Sequence, residues 1–247
     1  MIIVSNWKAY VADSDKAKKL FALNKKLARA YDGVLVLAPP AALFGVLAAG
    51  NKSKIALCAQ DVSLSTGGAH TGENLASMYA SIGASYAIVG HSERRAAGDT
   101  DTDVVEKSRH ILACGLTPIL CVGEKEHDAE GRYLSFIREQ LTTALSPFTT
   151  KERARFTIAY EPLWAIGKNA AGAIEPNNLA EMVLYIRKVL GELLPGRGAA
   201  RISILYGGSV EPENIRDLAR ATGVDGFLIG HASADTQQFT ALIKQLS

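Results

Sequence analysis

Eight short apolar runs, each followed by a stretch with helical spacing, most constrain what this chain can fold into. The runs fall at 2–6, 34–38, 55–59, 86–90, 117–122, 156–159, 201–205 and 226–229. They are continuously apolar rather than alternating. Strands that read this way are buried on both faces, as parallel strands covered by helices are. In the first intervening stretch Ala17, Leu20, Phe21, Leu23 and Leu27 recur at helical spacing behind a Ser14 or Asp15 cap, and Gly33 ends it. Helices are expected likewise from Pro40 to near Gly50, from the end of a glycine-rich loop at 65–73 to Ile82, and over 101–114, 128–145, 176–193, 212–221 and 235–246. Strict alternation of eight strands and eight helices over 247 residues predicts an α/β fold, a single (β/α)8 barrel domain spanning 1–247. A doubly wound open sheet is the alternative that the same alternation allows.

Composition removes several classes of function. Lys and Arg number 27 against 25 Asp and Glu, a formal net charge of +2, and the basic residues are scattered. Neither a nucleic-acid nor a membrane partner is expected from that balance. No apolar run approaches the roughly 18 residues a membrane span needs. The opening Met1-Ile2-Ile3-Val4 is too short for a secretion leader and has no basic residues before it. Cys58, Cys114 and Cys121 are an odd count with no CxxC spacing, so neither a disulfide nor a zinc site is expected, and the cytoplasm is the expected location.

In a barrel the carboxyl ends of all strands share one face, where side chains converge on a substrate. Those ends carry Asn6 and Lys8 after the first strand, Gln60 after the third, His91, Ser92 and Glu93 after the fourth, and Glu161 after the sixth. Gly207-Gly208-Ser209 follows the seventh and Gly230-His231 the eighth. Taken singly, each has a plain reading: a solvated carboxylate, a surface lysine, a packing histidine, a common turn. Together they supply a base, an electrophile, a cation and, in the glycine-rich last two loops, backbone N–H groups able to cup a phosphate. That set suits proton abstraction beside a carbonyl in a small phosphorylated substrate. It needs no metal and no cofactor, and no GxGxxG fingerprint follows any strand.

Several strings also resemble the signature segments of the triosephosphate isomerase family, in that family's order and over the whole chain. They are Asn6-Trp7-Lys8, Ala69-His70-Thr71-Gly72-Glu73, Val89-Gly90-His91-Ser92-Glu93-Arg94-Arg95, Cys121-Val122-Gly123-Glu124, Tyr160-Glu161-Pro162-Leu163-Trp164-Ala165-Ile166-Gly167 and Tyr206-Gly207-Gly208-Ser209-Val210. The resemblance implies interconversion of dihydroxyacetone phosphate and D-glyceraldehyde 3-phosphate through an enediolate. It implies Glu161 as the base, His91 as a neutral donor to the carbonyl, and Lys8 and Asn6 as stabilisers of the oxyanion. Glu93 would orient that cluster and partner Lys8. Gly167, Ser209, Gly230 and His231 would hold the phosphate, with Asn6 and Lys8 also facing the substrate. Residues from Pro162 to Gly167 would begin a lid, and a homodimer would form through the loop 67–73.

The chain also departs from the family pattern. His231 stands where a second glycine is usual, Ala9-Tyr10 replaces the usual Met-Asn, and the segment 168–176 is longer than the familiar one. At His231 either the backbone N–H alone meets the phosphate or the side chain adds a contact. Two alternatives stand beside the main reading: an isomerase of a related four-carbon ketose phosphate, and a barrel that binds a phosphorylated metabolite without catalysis.

Overall fold

The computed structural model describes residues 1–168, 172–196 and 198–246. Eight strands close on themselves in chain order: β1 (Ile2–Asn6), β2 (Val34–Ala38), β3 (Ala56–Ala59), β4 (Ala84–Val89), β5 (Thr117–Val122), β6 (Thr157–Tyr160), β7 (Ile204–Tyr206) and β8 (Gly226–Ile229). Every neighbouring pair is parallel, and β8 returns to β1 with Gly226 opposite Ile2 and Ile229 opposite Ser5. This is a (β/α)8, or TIM, barrel, and it excludes the open sheet. Ten α-helices cover it among the described residues: α1 (Ser14–Ala30), α2 (Ala41–Ala49), α3 (Ala76–Ser81), α4 (Ser92–Ala96), α5 (Asp101–Ala113), α6 (Arg132–Leu145), α7 (Thr150–Arg153), α8 (Pro176–Leu193), α9 (Ile215–Thr222) and α10 (Thr236–Leu246). No helix among them is long and apolar enough to cross a membrane.

The unbroken hydrophobicity of the strands now has its reason. Successive side chains point to opposite faces of a sheet, and here both faces are dry. Val4, Val36, Cys58, Ile88, Ile119, Cys121, Ala159, Leu205 and Leu228 point inward and fill the barrel. Their neighbours Ile3, Leu35, Leu37, Val89, Leu120, Ile158, Ile204 and Phe227 point outward and meet the helices, including Leu20, Phe44, Ile111, Leu141, Ile186 and Phe239.

Two helices were not foreseen. Both α4 and α7 are single turns, too short to show a period, and both are held by caps. Thr149 and Glu152 form a reciprocal capping box on α7, and the His91 side chain caps α4. Helix α6 starts at Arg132 rather than 128, because the Asp128 carboxylate accepts the N–H groups of Arg132 and Tyr133 at 3.0 and 3.1 Å from a turn that Gly131 completes at φ 75°. The cap of α1 is Asp13, which accepts the Lys16 N–H at 2.7 Å, not Ser14 or Asp15. β7 begins only at Ile204, after a 3-10 turn over Ala199–Arg201. Of the longer loop expected at 168–176, Asn169, Ala170 and Ala171 lie outside the described residues.

Closure depends on a close approach at one position. A Cβ at Gly226 would stand 1.8 Å from the carbonyl oxygen of Ile2. Gly226→Ala must therefore push β8 away from β1 where the barrel closes. It is expected to cost about 3 kcal/mol, at the upper end of overpacking penalties, read as a lower denaturation midpoint by circular dichroism.

Candidate active site

At the end of β1 the chain turns sharply. Lys8 has φ 44°, the one positive φ outside glycine among the described residues. For a residue with a Cβ that conformation costs of order 1 kcal/mol and persists only where its surroundings enforce it. The buried Asn6 side chain accepts the Lys8 N–H at 3.1 Å. From the end of β3 the Gln60 amide donates to the carbonyls of Ala38 and Lys8, at 2.9 and 3.2 Å. The enforced turn delivers the Lys8 ammonium to Glu93, with Nζ 2.7 Å from Oε1. Gln60 was noted in the sequence only as a strand-end residue; its work is to hold this turn.

After β4, Gly90 turns the chain at φ 69° and His91 caps α4. The Glu93 N–H donates to His91 Nδ1 at 3.2 Å. A ring nitrogen that accepts an N–H carries no proton, so the imidazole is neutral with its proton on Nε2. That Nε2 lies 3.4 Å from Glu161 Oε1.

Glu161 is only 2% exposed. Its own N–H bonds the Val122 carbonyl at 2.8 Å, and the Gly207 N–H bonds the Tyr160 carbonyl at 2.8 Å, so both neighbouring strands grip it. The Ser92 N–H reaches Oε2 at 3.3 Å. Oε1 is buried and meets no donor of hydrogen-bonding geometry among the described residues. A buried carboxylate oxygen without a partner is costly and is an acceptor kept free. Gly207 makes room for it: a Cβ there would press within 2.8 Å of Glu161 Cγ. Cys121 lies nearby inside the barrel. Burial, then the Glu161 charge, pushes its thiol well above the ordinary value, so it packs as a protonated side chain.

A cavity of about 420 Å³ opens at this end of the barrel. Its walls carry all nine residues singled out from the sequence: Asn6, Lys8, His91, Glu93, Glu161, Gly167, Ser209, Gly230 and His231. At its far side the Ser209 hydroxyl accepts the Lys168 N–H at 3.0 Å and ties the loop after β6 to the loop after β7. Tyr10, Lys168 and Glu211 also line this cavity, and none of the three was singled out as a site residue. They come from loops whose meeting no local spacing encodes.

A second cavity of about 950 Å³ shares Asn6, Lys8, His91 and Glu93 and extends under the loop that contains Ser65, Gly67, His70 and Glu73. Its floor is a charge cluster. Lys107, 3% exposed, pairs with Asp61 at 3.0 Å and Asp99 at 2.5 Å, and Arg94 pairs with the same two carboxylates at 2.9 and 3.3 Å. Burial raises the Asp61 carboxyl, and Lys107 and Arg94 recover only part of that shift. No group of three or more metal-ligating side chains occurs among the described residues.

A family model described as triosephosphate isomerase matches residues 1–246. Among curated proteins, the triosephosphate isomerase of Thermus thermophilus is 39% identical over 252 residues, covering 99% of this chain and 98% of its own length. That of Carboxydothermus hydrogenoformans is 38% identical over 245 residues, covering 98% and 97%. That of Roseiflexus sp. is 39% identical over 245 residues, covering 98% and 96%.

The Lys8–Glu93 pair is directly testable. Partial burial raises the Glu93 carboxyl, but the Lys8 hydrogen bond and charge outweigh it and hold the group below the ordinary value. A carboxyl depressed on folding contributes stability above the ordinary carboxylate range and loses it as pH falls through the folded value. Lys8→Met is therefore expected to move the Glu93 titration upward, read by carbon NMR of the side-chain carboxyl.

Proposed function

The chain belongs to the triosephosphate isomerase family, and from that premise we propose how its own residues carry the interconversion of dihydroxyacetone phosphate and D-glyceraldehyde 3-phosphate. The observation that carries the reading is the free, buried Oε1 of Glu161, 3.4 Å from the Nε2 of a neutral His91. Glu161 Oε1 takes the proton from the carbon beside the substrate carbonyl. His91 Nε2–H donates to the carbonyl oxygen as charge develops there, so the intermediate is an enediol(ate) rather than an isolated carbanion. Glu161, now protonated, returns the proton to the neighbouring carbon, and His91 shuttles protons between the two oxygens. No co-reactant is consumed.

Lys8 Nζ provides positive charge for the enediolate oxygen, and Asn6 adds a hydrogen bond. Glu93 serves both partners at once. Its carboxylate orients the Lys8 ammonium, and its N–H sets the His91 tautomer. The phosphate is held at the far side of the same cavity by backbone N–H groups near Gly167, Gly230 and His231 and by the Ser209 hydroxyl. The base itself is only 2% exposed, which keeps bulk water from it. The pairing of base and donor also argues against a barrel that only binds a phosphorylated metabolite, because binding requires neither.

The assembly proposed is a homodimer. The 950 Å³ cavity beside Asn6 and Lys8 would take the loop 67–73 of a second copy. Leu64, Met78 and Ile82, all exposed on the elements around it, supply apolar surface for such a contact. The proposed location is the cytoplasm, which the free thiols of Cys58, Cys114 and Cys121 fit.

Purified protein is expected to convert D-glyceraldehyde 3-phosphate in a coupled assay, and Glu161→Gln to lose roughly 10²–10⁴-fold in kcat, the usual worth of a positioned base. A folded, inactive wild type overturns the reading. An active Glu161→Gln overturns the assignment of the base. A higher kcat/KM on the four-carbon ketose phosphate than on the triose phosphates would move the substrate assignment. Sedimentation equilibrium is expected to return a dimer, and a fully active monomer would overturn the assembly.

A further inference from the structure

His231 is a titratable side chain at a place where the cavity needs only backbone. It opens the 3-10 turn His231–Ala234 directly after β8, is exposed, and lines the wall shared with Gly167, Ser209 and Gly230. An exposed imidazole on a turn ordinarily samples several rotamers. Here it is fixed. The ring meets that of Tyr10 edge to face, with centroids 5.3 Å apart and planes at 83°, an arrangement aromatic rings favour. Tyr10 is itself anchored in the turn after β1, its N–H on the Trp7 carbonyl at 3.0 Å and its carbonyl accepting Lys16 Nζ at 3.1 Å. The loop after β7 adds a negative group to the same wall. Burial raises the Glu211 carboxyl, Glu213 raises it further, and the nearby His231 draws it back.

We propose that His231 is a side-chain ligand for the substrate phosphate, steered by Tyr10 and balanced by Glu211 in the empty site, so that anion binding at this cavity carries a proton with it. The proposal rests on the phosphate lying at this end of the cavity, as proposed above. Histidine is the side chain whose charge changes across the physiological range. An imidazolium in this wall offers a charge-assisted N–H to a phosphoryl oxygen, where glycine would offer a backbone N–H alone. The other ionisable groups of the cavity are Lys8 and Tyr10 from the loop after β1, His91 and Glu93 after β4, Glu161 and Lys168 after β6, and Glu211 after β7. Asp235, at the end of the turn, is engaged in capping α10 through the N–H groups of Gln237 and Gln238.

Because His91 also shares the cavity, the test must separate the two histidines. Sulfate is a suitable probe, since it is a dianion throughout the range used and does not itself titrate. Its inhibition constant against D-glyceraldehyde 3-phosphate is measured between pH 6 and pH 8 on the full chain and on His231→Gly, His231→Asn and Glu211→Gln. In the wild type the constant is expected to fall on acidification by about tenfold, the lower end of the worth of one charge-assisted hydrogen bond. In His231→Gly and His231→Asn that dependence flattens to less than about twofold, and KM for the triose phosphate rises at pH 6 more than kcat falls. Glu211→Gln removes the competing carboxylate and tightens sulfate at both pH values. An unchanged pH profile in His231→Gly, with sulfate still competing, overturns the proposal and leaves the catalytic reading intact. Sulfate that fails to compete in the wild type overturns the phosphate end of that reading as well.

Discussion

Everything at the catalytic end depends on the sheet meeting itself. β1 and β8 pair over Ile2–Ser5 and Gly226–Ile229, with the Gly226 backbone packed against the Ile2 carbonyl. Once that seam is made no strand keeps an open edge, and every carboxyl end is brought to one rim. Residues as far apart as Lys8 and Glu93, or His91 and Glu161, then lie within 4 Å of one another without any loop having to travel. Closure also explains composition. A strand with helices on one side and a filled barrel on the other has no solvent face, and its sequence cannot alternate.

The rim is a place where polar groups are left incompletely satisfied on purpose. In the neighbouring cluster charge is answered by charge: Lys107 has Asp61 and Asp99, and Arg94 has the same two carboxylates. At Glu161 one oxygen has the Ser92 N–H, and the other, 3.4 Å from the His91 ring, meets no donor of hydrogen-bonding geometry among the described residues. The cost of that oxygen is carried by the rigid strands that hold it. Glu93 shows the complementary economy, since one residue uses its side chain to aim Lys8 and its backbone to set the proton on His91.

Much of this was legible in the chain. The eight strands could be read because burial on both faces leaves an apolar run with no gaps, and the polar residues at their ends, Gln60 and Ser92 excepted, line one cavity. What escaped were features made by side chains acting at a distance. Helices α4 and α7 exist through caps, not periodicity, and the late start of α6 follows from the Asp128 carboxylate reaching forward to Arg132 and Tyr133. Tyr10 and Glu211 stand in loops after β1 and β7, and their approach to His231 depends on the barrel's closure, not on any spacing within their own segments. Gln60 was visible as a strand-end residue, but only the folded chain reveals that its amide bonds two carbonyls from other segments.

That amide has a consequence for how the molecule comes into being. The left-handed turn at Lys8 is unfavourable by itself, and one of the bonds that enforces it comes from β3 while leaning on β2. During synthesis the lysine emerges long before Gln60, and the base Glu161 later still. A nascent or half-assembled chain can hold much of its helix without having its cation aimed at anything. The reactive centre is thus complete only once those long-range contacts are made, and a partly folded molecule that met its substrate would bind it loosely and leave its carbon acid alone.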